Sequence, residues 1–236
     1  TLTGNEYIVK TIVTTETIRT IAEAQHIKMY DCFTGFKWIA NVMRENEGKA
    51  RYLGGGEESY GFLAEDFVRD KDSVSAISLM AEIAAWAKDK GLNMTDMLID
   101  IYMKYGFSRE KGISLVRKGK SGAEEIIALM KQFRENPPKE IAGSPVVTVK
   151  DFQSLVETNV ATGETKKLDM PATSNVLQYY TADRTKVSVR PSGTEPKIKF
   201  YIEVHDTLAS ADEYKATEAR ADEKINRIAK EFGITK

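Results

Sequence analysis

The residues best suited to chemistry lie at positions 190–197, RPSGTEPK, between two strand-like runs. Residues 186–189 alternate polar and apolar side chains, and residues 198–204 do the same after the loop. A period of two is typical of half-buried strands. The connection between them, called the arginine loop (residues 190–197) below, concentrates a guanidinium, two hydroxyls and a glycine in one short turn.

This composition favours binding of an oxyanion. Arg190 offers a bidentate donor suited to phosphate. Gly193 can adopt positive φ, so successive backbone N–H groups could turn towards an oxyanion, and Pro191 and Pro196 stiffen the ends. The alternative is a tight turn with a solvated arginine, which RPSG alone would favour. The complete run between two strands favours a phosphate-binding loop.

A second unusual stretch is GGGEESYG, called the acidic loop (residues 54–61) below. We expect a strand at 51–53 to end where the glycines begin. Each glycine costs about 0.5–1 kcal/mol relative to alanine in regular structure, so three in a row need a reason. One interpretation is a flexible surface turn with solvated acids. The other is a backbone that approaches a ligand closely, with a carboxylate and a hydroxyl directed at sugar hydroxyl groups.

Both loops resemble segments of the α-D-phosphohexomutases, the phosphoglucomutase/phosphomannomutase family. The arginine loop resembles the phosphate-binding loop of that family, and the acidic loop resembles its sugar-binding loop. TGFKWI at 34–39 resembles the segment that opens the substrate cleft, and RDKD at 69–72 resembles a segment whose lysine contacts the bound sugar phosphate. The four stretches follow the family's order. The resemblance covers essentially the whole chain, but only domains three and four of a four-domain family member.

The resemblance implies a set of binding residues and no catalytic residue or metal ligand in this chain. The residues implied for the sugar are Glu57, Ser59, Lys71, Thr34 and Gly35. Those implied for the phosphate are Arg190, Ser192, Gly193, Thr194 and Lys199. Strand alternation leaves open whether Lys199 faces the loop or solvent.

The implied reaction interconverts hexose 1-phosphate and hexose 6-phosphate through a phosphoserine and a hexose 1,6-bisphosphate, with Mg²⁺ as cofactor. The family holds the serine in a TASHNP-type loop and the metal in a DGDxDR-type loop, and neither pattern occurs here. We therefore expect this chain to be inactive alone, with N-terminal domains of the same polypeptide as its partner. A stand-alone, non-catalytic sugar-phosphate binding module would need the same residues. Glucose, mannose and pentose phosphates all remain open as substrates.

Two domains are expected to position these loops. Residues 1–106 alternate strand and helix, which predicts an α/β domain, whereas residues 107–236 have strands adjacent in sequence, which predicts α+β. The resemblance implies a mixed sheet with helices, then a curved antiparallel sheet with helices on one face, like the TATA-binding protein. We also expect Thr34 to cap a helix, and a helix after Asp72 to turn Ile77 and Met80 inward.

Composition narrows the function classes. The formal net charge of −1 gives no broad attraction to nucleic acid or a membrane surface. No apolar run approaches 18 residues, and the single cysteine, Cys32, suits a reducing cytoplasm. Cys32 and both histidines, His26 and His205, are expected to be structural. The expected ligand is a small phosphosugar.

Overall fold

The computed structural model describes residues 2–117, 119–193 and 195–234, which form two compact units. The first unit runs to Gly106 and also includes Leu208–Ala211, and the second comprises Phe107–Thr207 and the chain from Asp212 onward. Among the described residues, no helix combines the length and the apolar character needed to cross a membrane.

The first unit is built on a mixed four-stranded sheet of order β2-β1-β3-β4. Strands β1, β2 and β3 are parallel, and β4 pairs antiparallel with β3. The strands are β1 (Glu6–Thr11), β2 (Lys28–Cys32), β3 (Arg51–Gly56) and β4 (Phe62–Ala64). The helices are α1 (Thr17–Ala24), α2 (Phe36–Asn46), α3 (Ser73–Asp89) and α4 (Met94–Tyr105). The predicted α/β class is confirmed.

Helix α2 supplies one wall of the core of the first unit. Its buried residues Phe36, Ile39 and Met43 follow the spacing of one helical face and pack with Tyr7 and Val9 of β1. The helix begins at Phe36, with Gly35 at the N-cap position and a φ of 109°. Only glycine adopts that φ readily. The predicted cap at Thr34 is therefore wrong by one residue.

The predicted end of β3 is also wrong, because the strand continues through all three glycines to Gly56. Close packing accounts for the central one. A Cβ on Gly55 would stand 2.6 Å from both the Val9 carbonyl oxygen and Tyr52 Oη. Gly55 therefore has a structural reason, because a side chain at this position would clash with β1 and with the Tyr52 side chain.

Helix α3 departs from the predicted inward face. Of the two cap residues that the sequence allows, Asp72 and Ser73, Asp72 caps the helix by accepting hydrogen bonds from the amides of Val74 and Ser75. However, Ile77 and Met80 are 69 % and 50 % exposed. The main neighbours of α3 are the edge strand β4 and helix α4, so it does not cover the middle of the sheet.

The second unit is an antiparallel sheet of eight strands with helices on one face. The strand order is β5-β12-β11-β10-β7-β8-β9, and β6 pairs with β7. The strands are β5 (Phe107–Val116), β6 (Glu140–Ile141), β7 (Ser144–Asp151), β8 (Val156–Asn159), β9 (Thr165–Lys167), β10 (Leu177–Thr181), β11 (Lys186–Pro191) and β12 (Lys197–Asp206). Helices α5 (Gly119–Glu135) and α6 (Tyr214–Glu231) contact β12. The predicted α+β class is confirmed.

The two faces of this second sheet differ in chemistry. Ile198, Phe200, Ile202 and Val204 of β12 are all buried, and Phe200 contacts Phe133 and Phe232 at the ends of the two helices. The alternate positions carry polar groups. There the nearly inaccessible Lys186 and Glu203 are 2.8 Å apart, and His205 Nε2 lies 3.2 Å from the same carboxylate. The alternation in the sequence thus corresponds to an apolar helix-facing side and a polar side.

Candidate functional site

The acidic loop lies where the strand order of the first sheet reverses. The chain runs from the central strand β1 outward to β2 and then across to β3, and Glu57 follows β3 directly. In open α/β sheets, ligands bind beyond the carboxyl ends of the strands at such a reversal. The fold therefore places the acidic loop at the edge where a binding crevice is expected.

Glu57 and Lys71 meet over Gly61. A Cβ on Gly61 would stand 3.0 Å from Glu57 Oε2 and 3.2 Å from Lys71 Cδ, so any larger residue would displace one of these side chains. The Glu57 amide donates to the Gly61 carbonyl at 2.8 Å and closes the loop. Glu57 Oε1 is buried and accepts no hydrogen bond from the described residues. A buried carboxylate oxygen with unused acceptor capacity is a candidate ligand-binding atom.

A cleft of about 350 Å³ opens beside this pair. It is lined by Ser59, Lys71, Tyr60 and the first turn of α3. Tyr60 is fully exposed and has a φ of 69°, a left-handed conformation that non-glycine residues adopt infrequently. Three of the predicted sugar-binding residues, Glu57, Ser59 and Lys71, thus belong to one place in the first unit.

Thr34 and Gly35 lie on the same edge but farther away. They follow β2, and β1 separates β2 from β3. Two strand spacings amount to about 10 Å along the edge of the sheet. Gly35 is used to begin α2, and its carbonyl accepts the Trp38 amide at 2.9 Å.

Hydroxyl groups and buried charges at the end of β1 form hydrogen bonds and ion pairs at this edge of the sheet. Glu58 Oε2 accepts a hydrogen bond of 3.0 Å from Thr11 Oγ1 at the end of β1. Lys10 is inaccessible to solvent, and its ammonium lies 3.0 Å from Glu16 and 2.9 Å from Asp31. The sequence analysis overlooked these residues, although the hydroxyl-rich run TIVTTET after an apolar strand could have indicated them.

In the second unit, the register places two cations side by side at the base of the arginine loop. Arg190 of β11 is directly opposite Lys199 of β12. Lys199 therefore lies on the same face of the sheet as Arg190. The carboxylate of Glu195 is within electrostatic reach of Lys199 but is paired with Lys197. Like charges opposite each other are unfavourable unless an anion joins them.

The loop itself is closed differently from the prediction. The Ser192 amide donates to the Lys197 carbonyl at 2.8 Å, so this N–H is not free to face an oxyanion. Gly193 is exposed and does not adopt the predicted positive φ. Lys197 forms an ion pair with Glu195, and its hydrogen bond lowers the pKa of that carboxyl. Thr194 lies outside the described residues.

A second cleft of about 530 Å³ adjoins the arginine loop. Ser174 and Asn175 line it together with Arg190, Ser192 and Gly193, and Ile126 and Ile127 of α5 form an apolar wall. The sequence analysis did not predict Ser174 or Asn175. Only the pairing of β10 with β11 brings that stretch close to the loop, and no local pattern indicates it.

The described residues do not fit the Mg²⁺ that the resemblance implies. They contain no group of three or more His, Cys, Asp or Glu side chains arranged to hold a metal ion. Cys32 is buried in the core of the first unit, and burial raises the pKa of its thiol to about 12, so it is not a nucleophile at neutral pH. His205 is paired with Glu203, whereas His26 is exposed in a turn with a φ of 56°.

Comparison with protein families identifies both parts of the chain. The model described as "Phosphoglucomutase/phosphomannomutase, alpha/beta/alpha domain III" matches residues 1–105. The model described as "Phosphoglucomutase/phosphomannomutase, C-terminal domain" matches residues 129–221. Together they include both loops.

Individual relatives agree with this assignment. A phosphoglucomutase of Staphylococcus haemolyticus is 34 % identical over 202 residues, which are 86 % of this chain and 36 % of the relative. A phosphoglucomutase of Staphylococcus aureus is 35 % identical over 195 residues, which are 83 % of this chain and 35 % of the relative. The chain therefore spans little more than a third of the length of these relatives.

Solved structures match the fold. The open form of pp63/parafusin, a phosphoglucomutase from Paramecium, aligns with a TM-score of 0.57 at 17 % identity, covering 94 % of this chain and 38 % of that one. A putative phosphomannomutase from Thermus thermophilus aligns with a TM-score of 0.55 at 14 % identity, covering 92 % and 37 %.

Proposed function

Because the chain belongs to the phosphoglucomutase/phosphomannomutase family, of which it carries domain III and the C-terminal domain, we propose that it is the substrate-recognition half of a hexose phosphate mutase. The longer polypeptide would interconvert hexose 1-phosphate and hexose 6-phosphate through a phosphoserine and a hexose 1,6-bisphosphate. In this proposal the serine and the Mg²⁺ ligands come from N-terminal domains of the same polypeptide.

The observation that carries the proposal is the pair of cations at the base of the arginine loop. Arg190 and Lys199 are cross-strand neighbours. Glu195, whose carboxylate is within electrostatic reach of Lys199, is already paired with Lys197. A phosphate between Arg190 and Lys199 would remove their repulsion and accept charge-assisted hydrogen bonds. Ser192 and Thr194 of the loop are assigned to the same phosphate. Since this arrangement recognises charge, it would accept the non-reacting phosphate from either end of the bisphosphate.

The acidic loop has the complementary role in this proposal. Glu57, with its unused buried oxygen, and Ser59 would bind hydroxyl groups of the sugar ring. Lys71, which lies with Glu57 on the same side of Gly61, would contact the ligand near its phosphate. A carboxylate that accepts bonds from specific hydroxyls depends on their stereochemistry, so this loop would determine which hexose is preferred.

Equilibrium binding measured by titration calorimetry tests the proposal. A charge-assisted hydrogen bond contributes roughly 1.5–3 kcal/mol, so Arg190→Ala should weaken binding of glucose 1-phosphate and glucose 6-phosphate about 10- to 100-fold and to a similar degree. Glu57→Ala should instead change the ratio of affinities for glucose and mannose phosphates. Arg227→Ala, which removes an exposed arginine of α6 paired with Glu231, is the matched control. Unchanged phosphosugar affinity in Arg190→Ala would refute the role of the arginine loop.

A further inference from the structure

We propose that Glu58 is a positioning residue that anchors the acidic loop to the end of β1 and thereby orients Glu57 towards the sugar. This inference rests on the proposed function, since it assigns Glu57 to the ligand. Its basis is the hydrogen bond of 3.0 Å from Thr11 Oγ1 to Glu58 Oε2. Thr11 is the last residue of β1 and is inaccessible to solvent. The loop is therefore attached to the central strand of the sheet.

The direction of this hydrogen bond shows that Thr14 also belongs to the anchor. Thr11 has one hydroxyl proton and donates it to Glu58, so it acts as the acceptor in its 2.8 Å contact with Thr14 Oγ1. The result is a chain in which Thr14 donates to Thr11 and Thr11 donates to Glu58. A chain that ends on a carboxylate is charge-assisted, and each bond polarises the next. Residues 11–14 thus form a fixed attachment point.

The anchor separates two neighbouring carboxylates. Glu58 points to β1, whereas Glu57 packs over Gly61 beside Lys71. Without the anchor, the loop would lose its link to β1, and its closure from the Glu57 amide to the Gly61 carbonyl would open more often. The acidic loop would then become ordered only when the ligand binds, and this would lower the affinity.

Two measurements on the 236-residue chain test this role. The first is binding of glucose 1-phosphate and, separately, inorganic phosphate. We expect Glu58→Ala to weaken binding of glucose 1-phosphate about tenfold, as when one net interaction of ordinary strength is lost. Binding of inorganic phosphate, which the arginine loop provides, should not change. Glu58→Gln keeps an acceptor for Thr11 and should stay within about threefold of the parent chain.

The second measurement is hydrogen exchange at the Glu57 amide, which needs no ligand. Glu58→Ala and Thr11→Val should both accelerate it, and the double variant should be no faster than the single ones, because both remove the same bond. Thr11→Ser retains the hydroxyl and should restore the slow rate, which separates loss of the anchor from general damage to the buried site. Glu65→Ala, on an exposed carboxylate paired with Arg51, is the matched control.

The outcomes separate the inference from the proposed function. Lost sugar affinity with unchanged Glu57 exchange would mean that Glu58 contacts the ligand directly, and it would overturn the positioning role. An equal loss of affinity for glucose 1-phosphate and for inorganic phosphate would also overturn the positioning role. If the parent chain bound neither ligand, the proposed function would fail, and the exchange measurement alone would decide whether Glu58 anchors the loop.

Discussion

The acidic loop and the arginine loop are held in place in opposite ways. The acidic loop extends a parallel strand at a strand-order reversal, and its glycines Gly55 and Gly61 are in close contact with neighbouring atoms. The arginine loop is a hairpin connection. Apart from chain neighbours, no described residue has an atom within 4 Å of a Cβ built on its glycine, Gly193. One loop is fixed by packing and hydrogen bonds, and the other presents charge from a less crowded turn.

This difference matches what each loop is proposed to recognise. Hydroxyl stereochemistry is distinguished by directional hydrogen bonds, which require acceptors held in place. A phosphate is recognised largely by charge and by a planar guanidinium, which tolerates more than one approach. A mutase that binds its intermediate in two orientations would need both properties. The comparison predicts that substitutions in the acidic loop act through packing, whereas those in the arginine loop act through charge.

The largest effect on stability is expected at the buried ion pair between Lys186 of β11 and Glu203 of β12. Glu203→Gln removes the negative charge next to the buried Lys186 ammonium, which should lower the free energy of unfolding by about 3–5 kcal/mol. Burial by itself would raise the pKa of Glu203, but Lys186 and His205 lower it to about 2. The pair therefore stabilises the fold above about pH 4.5, and this contribution is lost as the pH falls towards 2.

Hydrogen exchange of the β11 and β12 amides measures this effect in the second unit. Replacing both partners with apolar residues, as in Lys186→Met with Glu203→Leu, should cost less than Glu203→Gln alone. Glu157→Gln is the matched control, because its carboxylate pairs with Lys150 and Lys166 on the same sheet but is more accessible. Equal effects of Glu203→Gln and Glu157→Gln would contradict the prediction.

The two glycines provide the next test of the comparison. Gly55→Ala places a methyl group 2.6 Å from a backbone carbonyl and should destabilise the first unit by about 1–3 kcal/mol. Gly193→Ala meets open space and needs no left-handed φ, so it should be neutral or should stabilise by about 0.4–1 kcal/mol. Both tryptophans, Trp38 and Trp86, lie in the first unit, so their fluorescence during urea unfolding reports Gly55→Ala selectively. Similar costs for the two variants would remove the distinction between the loops.

Much of this architecture could be predicted from the sequence because it depends on local periodicity. The period of two in β12 and the helical spacing of Phe36, Ile39 and Met43 predict which faces are buried. Helix α3 shows where such patterns fail. Its apolar residues Ile77 and Met80 have the spacing of an inward face but are exposed, because burial also depends on what lies opposite the helix.

The parts of the site that could not be predicted arise from contacts between distant segments. Thr11 and Glu58 are 47 positions apart and meet only because β1 and β3 are neighbours. Likewise, the pairing of Arg190 with Lys199 depends on the register of two strands, and a shift by one residue would turn the lysine to the other face. Glycine conformation was also misjudged, since Gly193 does not use the positive φ available to it.

The smallest effect is expected for Lys199→Gln, which should increase stability but weaken phosphate binding. Lys199→Gln removes one of two like charges that are directly opposite each other on β11 and β12, so it should raise the free energy of unfolding by roughly 0.2–1 kcal/mol without ligand. The same change should weaken binding of inorganic phosphate. Hydrogen exchange of the β12 amides at constant ionic strength, with and without phosphate, measures both quantities.

The control for this last prediction is Lys215→Gln, which removes an exposed lysine that already has a carboxylate partner, Glu218. That variant should not gain stability, and phosphate should not change its behaviour. The gain in Lys199→Gln should shrink as salt is added, because screening weakens the repulsion it relieves. If Lys199→Gln lowered stability and left phosphate binding unchanged, the two cations would not share an anion. The claim that the arginine loop acts through charge would then be wrong. The claim that the acidic loop acts through packing would still rest on Gly55.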